Sequence, residues 1–167
     1  MVDFFLKVWY NNHEMKGRSQ LFIMKRSRTE IYPDTKYFHY YNANPKNRIT
    51  GDCTFRAVAT ALGMKWEDVV MDMAKFSVKT GYAINDKKGI ERYLASKGWT
   101  KCKQPRKWDN TKYTGKEFCR EMQTTKDSRR IIANIGGHHI VAIVGCRIND
   151  IWDSTEGCVG NYWVKEN

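Results

Sequence analysis

From Arg129 onward the chain consists of short β-branched and aromatic runs. "RRIIANI", "HHIVAIVGC", "DIWDS" and "NYWVK" are separated by glycine or asparagine. Such runs predict three or four antiparallel strands. The preceding eighty residues carry apolar positions at helical spacing instead. A block of helices followed by a block of strands rules out an alternating βαβ arrangement and predicts an α+β fold. The helices are expected to precede and pack on a C-terminal antiparallel sheet.

The helical block reads in four pieces. Cys53–Leu62 is stopped by Gly63. Trp66–Phe76 places Val69, Val70, Met73 and Phe76 at helical spacing. Asn85 or Asp86 caps a segment ending near Ser96. Thr114-Gly-Lys-Glu117 has the pattern of a capping box, with a helix through Met122. Residues 99–113 are basic and irregular. Near the start, "FFLKVWY" (4–10) and "SQLFIMKR" (19–26) flank a turn-rich stretch and predict a β-hairpin. Residues 27–51 read as a loop. The expected organisation is an extension over 1–42 and one domain over 43–167, in keeping with the chain's 167 residues.

Charge is unevenly distributed. The net charge is +11. Residues 51–130 hold eighteen basic and ten acidic side chains, whereas 131–167 hold two and four. No window approaches the roughly 18 uninterrupted apolar residues of a membrane span. The first residues, interrupted by Asp3 and Lys7, do not have the pattern of a secretory signal. A soluble, cytoplasmic protein with no membrane partner is expected. Five cysteines at irregular spacing argue against a disulfide framework and for a reducing compartment. No C-x-x-C pair supports a zinc site, and the spacing of His138, His139, Cys146 and Cys158 matches no common ligand pattern.

One cysteine stands out, in "NRITGDCTFRAVATALG" (47–63). A thiol at a helix N-terminus lies beside unpaired N–H groups and the positive end of the helix dipole, and both favour the thiolate. Gly51 permits close approach of the chain, and Asp52 or Thr50 is placed to cap the helix. Asp52 also opposes a thiolate unless its charge is spent on capping bonds. Equally, a cysteine here is a small core hydrophobe. Only a base elsewhere in the chain separates the two readings.

That base is sought in "NIGGHHIVAIVGCRINDIWDST" (134–155). His139, Val141 and Ile143 share one face of a strand; His138, Ile140, Ala142 and Val144 share the other. A three-residue turn at Gly145-Cys146-Arg147 pairs Val144 with Ile148, Val141 with Ile151 and His139 with Asp153. Directly opposed side chains have Cβ atoms about 4.5–5.5 Å apart, within reach of a hydrogen bond. On this register Asp150 opposes Ala142, on the face of His138, and is the weaker partner; a two-residue turn would shift the partner to Ser154. A carboxylate on one imidazole nitrogen fixes the tautomer and leaves the other nitrogen for a thiol. Gly136 and Gly137 leave room for a substrate backbone or simply form a turn.

With these residues the sequence resembles the papain-like cysteine peptidases. It is most similar to small bacterial and phage-encoded members and to the peptidase domains of bacteriocin-exporting transporters. The resemblance runs over about residues 43–165, on "GDCTFRAVATALG", "HHIVAIVGCRINDIWDS" and an amide residue six positions before the cysteine. It implies Cys53 as nucleophile, His139 as base and then acid, and Asp153 as the residue orienting the imidazole. Asn47, where the family commonly has glutamine, would join the Cys53 N–H in an oxyanion hole. It implies hydrolysis of a peptide or isopeptide bond in a protein or peptide substrate, through a thioester and without metal or organic cofactor. For a phage-encoded chain the compartment would be the bacterial host cytoplasm. Amidase and transferase chemistry stay open on such a fold.

Two non-enzymatic readings stand beside it: a silent papain-like protein binding nucleic acid, and an inhibitor docking on a host protein through the N-terminal hairpin. "KCKQPRKW" (101–108) and "MKRSR" (24–28) interleave cations with an aromatic residue, a composition that suits phosphates and stacked bases.

Overall fold

A computed structural model describes residues 26–84 and 86–165. The elements run in the order α1 (Arg28–Ile31), β1 (Phe38–Tyr40), α2 (Cys53–Leu62), α3 (Trp66–Thr80), α4 (Lys87–Ser96), β2 (Trp99–Cys102), α5 (Gly115–Thr124), β3 (Ile131–Ile135), β4 (His139–Val144), β5 (Arg147–Asp150) and β6 (Val159–Lys165). The α+β class expected from the sequence is what forms.

The helices begin and end for local reasons. Thr114 and Glu117 close the capping box of α5 reciprocally, with Glu117 N–H on Thr114 Oγ1 at 3.2 Å and Thr114 N–H on Glu117 Oε2 at 2.9 Å. Asp86 caps α4 by accepting from the Gly89 N–H. The Cys helix α2 stops at Gly63, whose φ of 68° is the left-handed conformation that glycine adopts at least cost. Arg130 Nη1 then donates to the Thr60 and Ala61 carbonyls at that end, fastening α2 to the start of β3.

The strands form one six-stranded sheet in the order β1-β5-β4-β3-β6-β2. Strands β5, β4, β3, β6 and β2 pair antiparallel, while β1 joins β5 in parallel. The sheet is therefore mixed rather than purely antiparallel, and it recruits two strands from earlier in the chain. Both fall in segments read as loop or irregular. "FHY" is too short for a period to show, and "WTKC" is an edge strand that exposes Thr100 and Lys101. "DIWDS" was expected to pair, but β5 ends at Asp150. The boundary expected at 42/43 falls beyond a strand of this same sheet, since Phe38 on β1 is fully buried. The hairpin expected over 4–10 and 19–26 lies, but for Arg26, outside the described residues.

Both faces of the sheet are covered, which explains why "HIVAIV" reads as a continuous apolar run. Ile140 and Ala142 of β4 face a core with Val58, Val69, Met73 and Leu94 from α2, α3 and α4. Val141 and Ile143 face a second core with Phe118, Cys119 and Met122 of α5. The result is a three-layer stack. It lays the N-terminus of α2 against the start of β4, so Cys53 and His139 arrive at one place.

Candidate active site

Helix α2 begins at Cys53 with no side chain capping it. Asp52 occupies the N-cap position, but its carboxylate turns elsewhere: Oδ1 takes Arg56 Nη1, and Oδ2 accepts from Asn44 Nδ2 at 3.1 Å. The first N–H groups of α2 thus remain available beside the sulfur, with the positive end of the helix dipole. The objection that Asp52 repels a thiolate is met by Arg56, which neutralises it from one turn further along the same helix.

His139 opens β4, and its Nε2 lies 2.5 Å from Asp150 Oδ2. Asp150 is buried, only 3% exposed, and its second oxygen accepts the Ile151 N–H at 2.8 Å. With Nε2 taken by Asp150, Nδ1 is the nitrogen left over, and the Cys53 thiol lies close enough to the imidazole for each to shift the other's pKa. Trp152 lies against the ring, with centroids 4.9 Å apart and planes tilted by 38°. It shields the imidazole–carboxylate bond from water, which strengthens it.

Asp150, not Asp153, is thus the residue that holds the imidazole, and turn geometry is the reason. The β4–β5 turn has two residues, Gly145 and Cys146, both with positive φ (61° and 57°), as a tight primed hairpin turn requires. Val144 therefore pairs with Arg147, Ile143 with Ile148 and Ala142 with Asn149. This register differs by one residue from the one a three-residue turn gives, and a one-residue slip moves every side chain to the other face. Asp150 passes to the face of His139, diagonal to it across Val141. Asp153 lies beyond the end of β5 and is used locally, its Oδ1 accepting the Thr155 N–H at 2.9 Å, and Ser154, the partner expected for a two-residue turn, is not bonded to the ring either.

The electrostatics follow from this contact. Burial alone would raise the Cys53 pKa. Hydrogen bonds from His139, the Ile140 N–H and the Thr54 hydroxyl, with the charge on the imidazole, outweigh it and hold the thiol below its ordinary value. Burial likewise disfavours a charged His139, but the bonds to Asp150 and Cys53 win and raise its pKa to about 9. Both shifts favour the charged forms, thiolate and imidazolium, over the neutral pair. The stabilisation His139 adds to the fold is complete below its unfolded pKa of about 6.5 and is lost as the pH rises through about 9. For Cys53 the sign is opposite, and its contribution is lost as the pH falls through the lowered value. The other shifted thiols move up: Cys119 to about 12 by burial, and Cys146 by burial and by the charge of Asp127.

Asn47 is not brought into this arrangement. It sits exposed in a turn with φ of 50°, its N–H on the Asn44 carbonyl at 2.9 Å. Among the described residues its side chain shares no hydrogen bond with Cys53 or His139. One methylene shorter than glutamine and on a left-handed turn, it does not supply the amide member of the expected pair. Gly51 is not needed for close approach either, since a Cβ there would meet nothing within 4 Å. Sequence reasoning missed Asn44, Arg56 and Trp152. The first had a signal in "NANPKN", where an asparagine before proline favours an Asx turn; its Oδ1 accepts the Lys46 N–H.

A groove of about 330 Å³ lies on the α4 side of the sheet, and neither Cys53 nor His139 lines it. Gly137 and Ile140, which flank the histidines in sequence, are part of its lining. Ile90, Ile140 and Trp163 form its apolar part, and Lys87, Glu91 and Asn134 its polar part. Gly136 and Gly137 both have positive φ and open space where a Cβ would stand, so the rim next to His139 is bare backbone. Among the described residues no group of three or more His, Cys, Asp or Glu is placed to hold a metal ion. His138 is exposed, and the Cys146 thiol turns to the Asp127 carbonyl at 3.5 Å.

A scan against protein-family models finds no match, and searches of curated proteins and of solved structures find none.

Proposed function

We propose that the protein is a papain-like thiol hydrolase that cleaves a peptide or isopeptide bond of a protein or peptide substrate. The observation that carries this reading is a single one: an imidazole held by a buried carboxylate on one nitrogen stands close to a thiol at an uncapped helix N-terminus. A nucleophile, a base and an orienting group within mutual reach are what covalent acyl transfer needs.

The residues then act in order. The Cys53 thiolate attacks the carbonyl carbon, and the carbonyl electron pair moves to oxygen, where the Cys53 N–H receives it. Such a donor typically contributes about 10²–10³ in rate. As the C–N bond breaks, the His139 imidazolium gives its proton to the leaving amine and a thioester remains. Neutral His139 next takes a proton from water as its oxygen attacks the thioester carbon; the C–S bond then breaks, releasing the acid and restoring the thiolate beside the imidazolium. Asp150 stabilises each imidazolium state, and the chemistry calls on no cofactor. The groove beside Gly137 and Ile140 is where the substrate chain would lie. We place the reaction in the cytoplasm, in line with five free cysteines; no helix among the described residues is long and apolar enough to cross a membrane.

Iodoacetamide at pH 6 tests the proposal, with labelling mapped by mass spectrometry. Below both pKa values the thiolate fraction rises about tenfold per unit of pKa lowering. Cys53 is expected to react at least about tenfold faster than Cys102, Cys119, Cys146 and Cys158. Equal labelling of the accessible thiols would overturn the proposal.

One observation favours a second reading, binding of single-stranded nucleic acid. Trp108 is 98% exposed at the tip of a well-braced turn, in which Asn110 N–H bonds the Lys107 carbonyl and Thr111 the Asp109 carboxylate. Lys103, Arg106 and Lys112 are exposed around it. Stacking on such a ring is worth about 1–3 kcal/mol per base. Trp108→Ala is expected to weaken binding of labelled oligothymidylate by about tenfold or more, and binding should fall steeply with salt. No binding at low salt would end this reading and leave the hydrolase reading standing.

A further inference from the structure

Arg56 is nearly sealed from solvent, at 5% exposure, yet it lies among charges rather than hydrocarbon. Its Nη1 donates to the Thr50 carbonyl at 3.3 Å and pairs with Asp52. Its Nη2 stands 3.6 Å from Asp150 Oδ1. One guanidinium therefore spans two buried carboxylates: one on the residue before the nucleophile, the other behind the imidazole.

We infer that Arg56 is a positioning residue of this site, one that locks the Cys53 helix to the His139–Asp150 pair and cancels the carboxylate charge beside the sulfur. The inference rests on the reading of Cys53 as a nucleophile.

Three arguments support it. The first is geometric. Arg56 lies three residues after Cys53 on α2, so the atoms that hold Asp150 and the sulfur that needs His139 belong to one rigid helix. A planar fork with donors at fixed angles sets both the distance and the orientation between two carboxylates, as a lysine cannot. The second is electrostatic. The charged groups facing the fork are Asp52 on its own element and Asp150 on β5, with Tyr40 on β1 nearby; beyond Asp150 stands His139 on β4. Without Arg56 the imidazolium alone would face two buried carboxylates and a thiolate. An opposite charge within about 4–6 Å lowers the pKa of an acid by about 1–3 units, and a like charge raises it. The third is economy of structure. Replacing buried ion pairs with well-packed hydrocarbon is often neutral or stabilising, so folding alone does not demand an arginine here. The chain of contacts from Asn44 through Asp52, Arg56, Asp150 and His139 to Cys53 is continuous and ends at the sulfur.

The test compares full-length wild type, R56M, R56K, D52N and the D52N/R56M double variant. Two quantities are read: the pH midpoint of Cys53 alkylation by iodoacetamide, and the thermal midpoint. R56M is expected to move the alkylation midpoint up by about one unit or more, which is about a tenfold loss of rate at pH 6. R56K, which keeps the charge and loses the fork, should fall between R56M and wild type. Should R56M fail to fold, the double variant decides, because it leaves one fewer unpaired buried carboxylate. Its midpoint is expected to lie above that of D52N by about half a unit or more. A folded R56M with the wild-type midpoint, or a double variant with the midpoint of D52N, overturns the inference and leaves Arg56 a structural residue. In both cases preferential labelling of wild-type Cys53 would persist and the hydrolase reading would stand. Loss of that preference in the wild type itself would overturn both.

Discussion

Cys53→Ala is expected to abolish turnover of any acyl substrate the wild type cleaves, by about 10⁴–10⁶-fold, as removal of the nucleophile does when catalytic groups act as a unit. The fold should tolerate the change. Cys53 is half-buried at the edge of the core on the α2 side, and losing one small sulfur from such a position costs about 1 kcal/mol or less. A thermal midpoint within a few degrees of wild type, together with lost activity, is the expected pair of results. Retained turnover in a folded Cys53→Ala protein would remove the covalent mechanism, whatever the fold.

The second large effect distinguishes two aspartates only three residues apart. Asp150→Ala is expected to lower turnover by about 10²–10⁴-fold, because the imidazole loses the group that orients it and stabilises its protonated form. The same change leaves Arg56 with Asp52 alone, so some stability is lost as well. Asp153→Ala should leave turnover within about threefold of wild type. It removes only an acceptor for the Thr155 N–H, a local turn contact. Comparable loss from both substitutions, or a larger loss from Asp153→Ala, would contradict the observed hairpin register. Alkylation of Cys53 at pH 6 gives the same ranking without a substrate.

These two aspartates also mark where the sequence can be read and where it cannot. The Cys helix, its glycine stop, the capping box at Thr114 and the strand around His139 are all local. Each follows from spacing and side-chain chemistry within a few residues. The pairing of His139 with a carboxylate is not local, because it depends on the length of one turn. Gly145-Cys146-Arg147 is compatible with two or three turn residues. The deciding fact is that Cys146 adopts positive φ, which cysteine rarely does and no pattern announces. A difference of one residue there exchanges Asp150 for Asp153. Strands β1 and β2 were hidden for a different reason: both are very short, and their places are set by hydrogen bonds to β5 and β6 rather than by their own composition. The role of Arg56 was equally out of reach. A lone arginine in an apolar helix shows no sign that two acids, one of them about a hundred residues away, converge on it.

The expected amide partner of the oxyanion was read from position rather than from geometry, and Asn47 stands exposed on its own turn. What the region before the nucleophile supplies is Asn44, buried and donating to Asp52. The amide in this segment thus supports the helix start from behind instead of reaching the reacting carbonyl.

The central claim is that Cys53 and His139 share a proton as a thiolate–imidazolium pair held by Asp150, and an NMR titration of the His139 ring tests it most directly. In the wild type the ring is expected to titrate near 9, and in Cys53→Ala to fall measurably below that as the thiolate's bond and charge are lost. A His139 that titrates near 6.5 in the wild type and does not respond to Cys53→Ala would contradict the account.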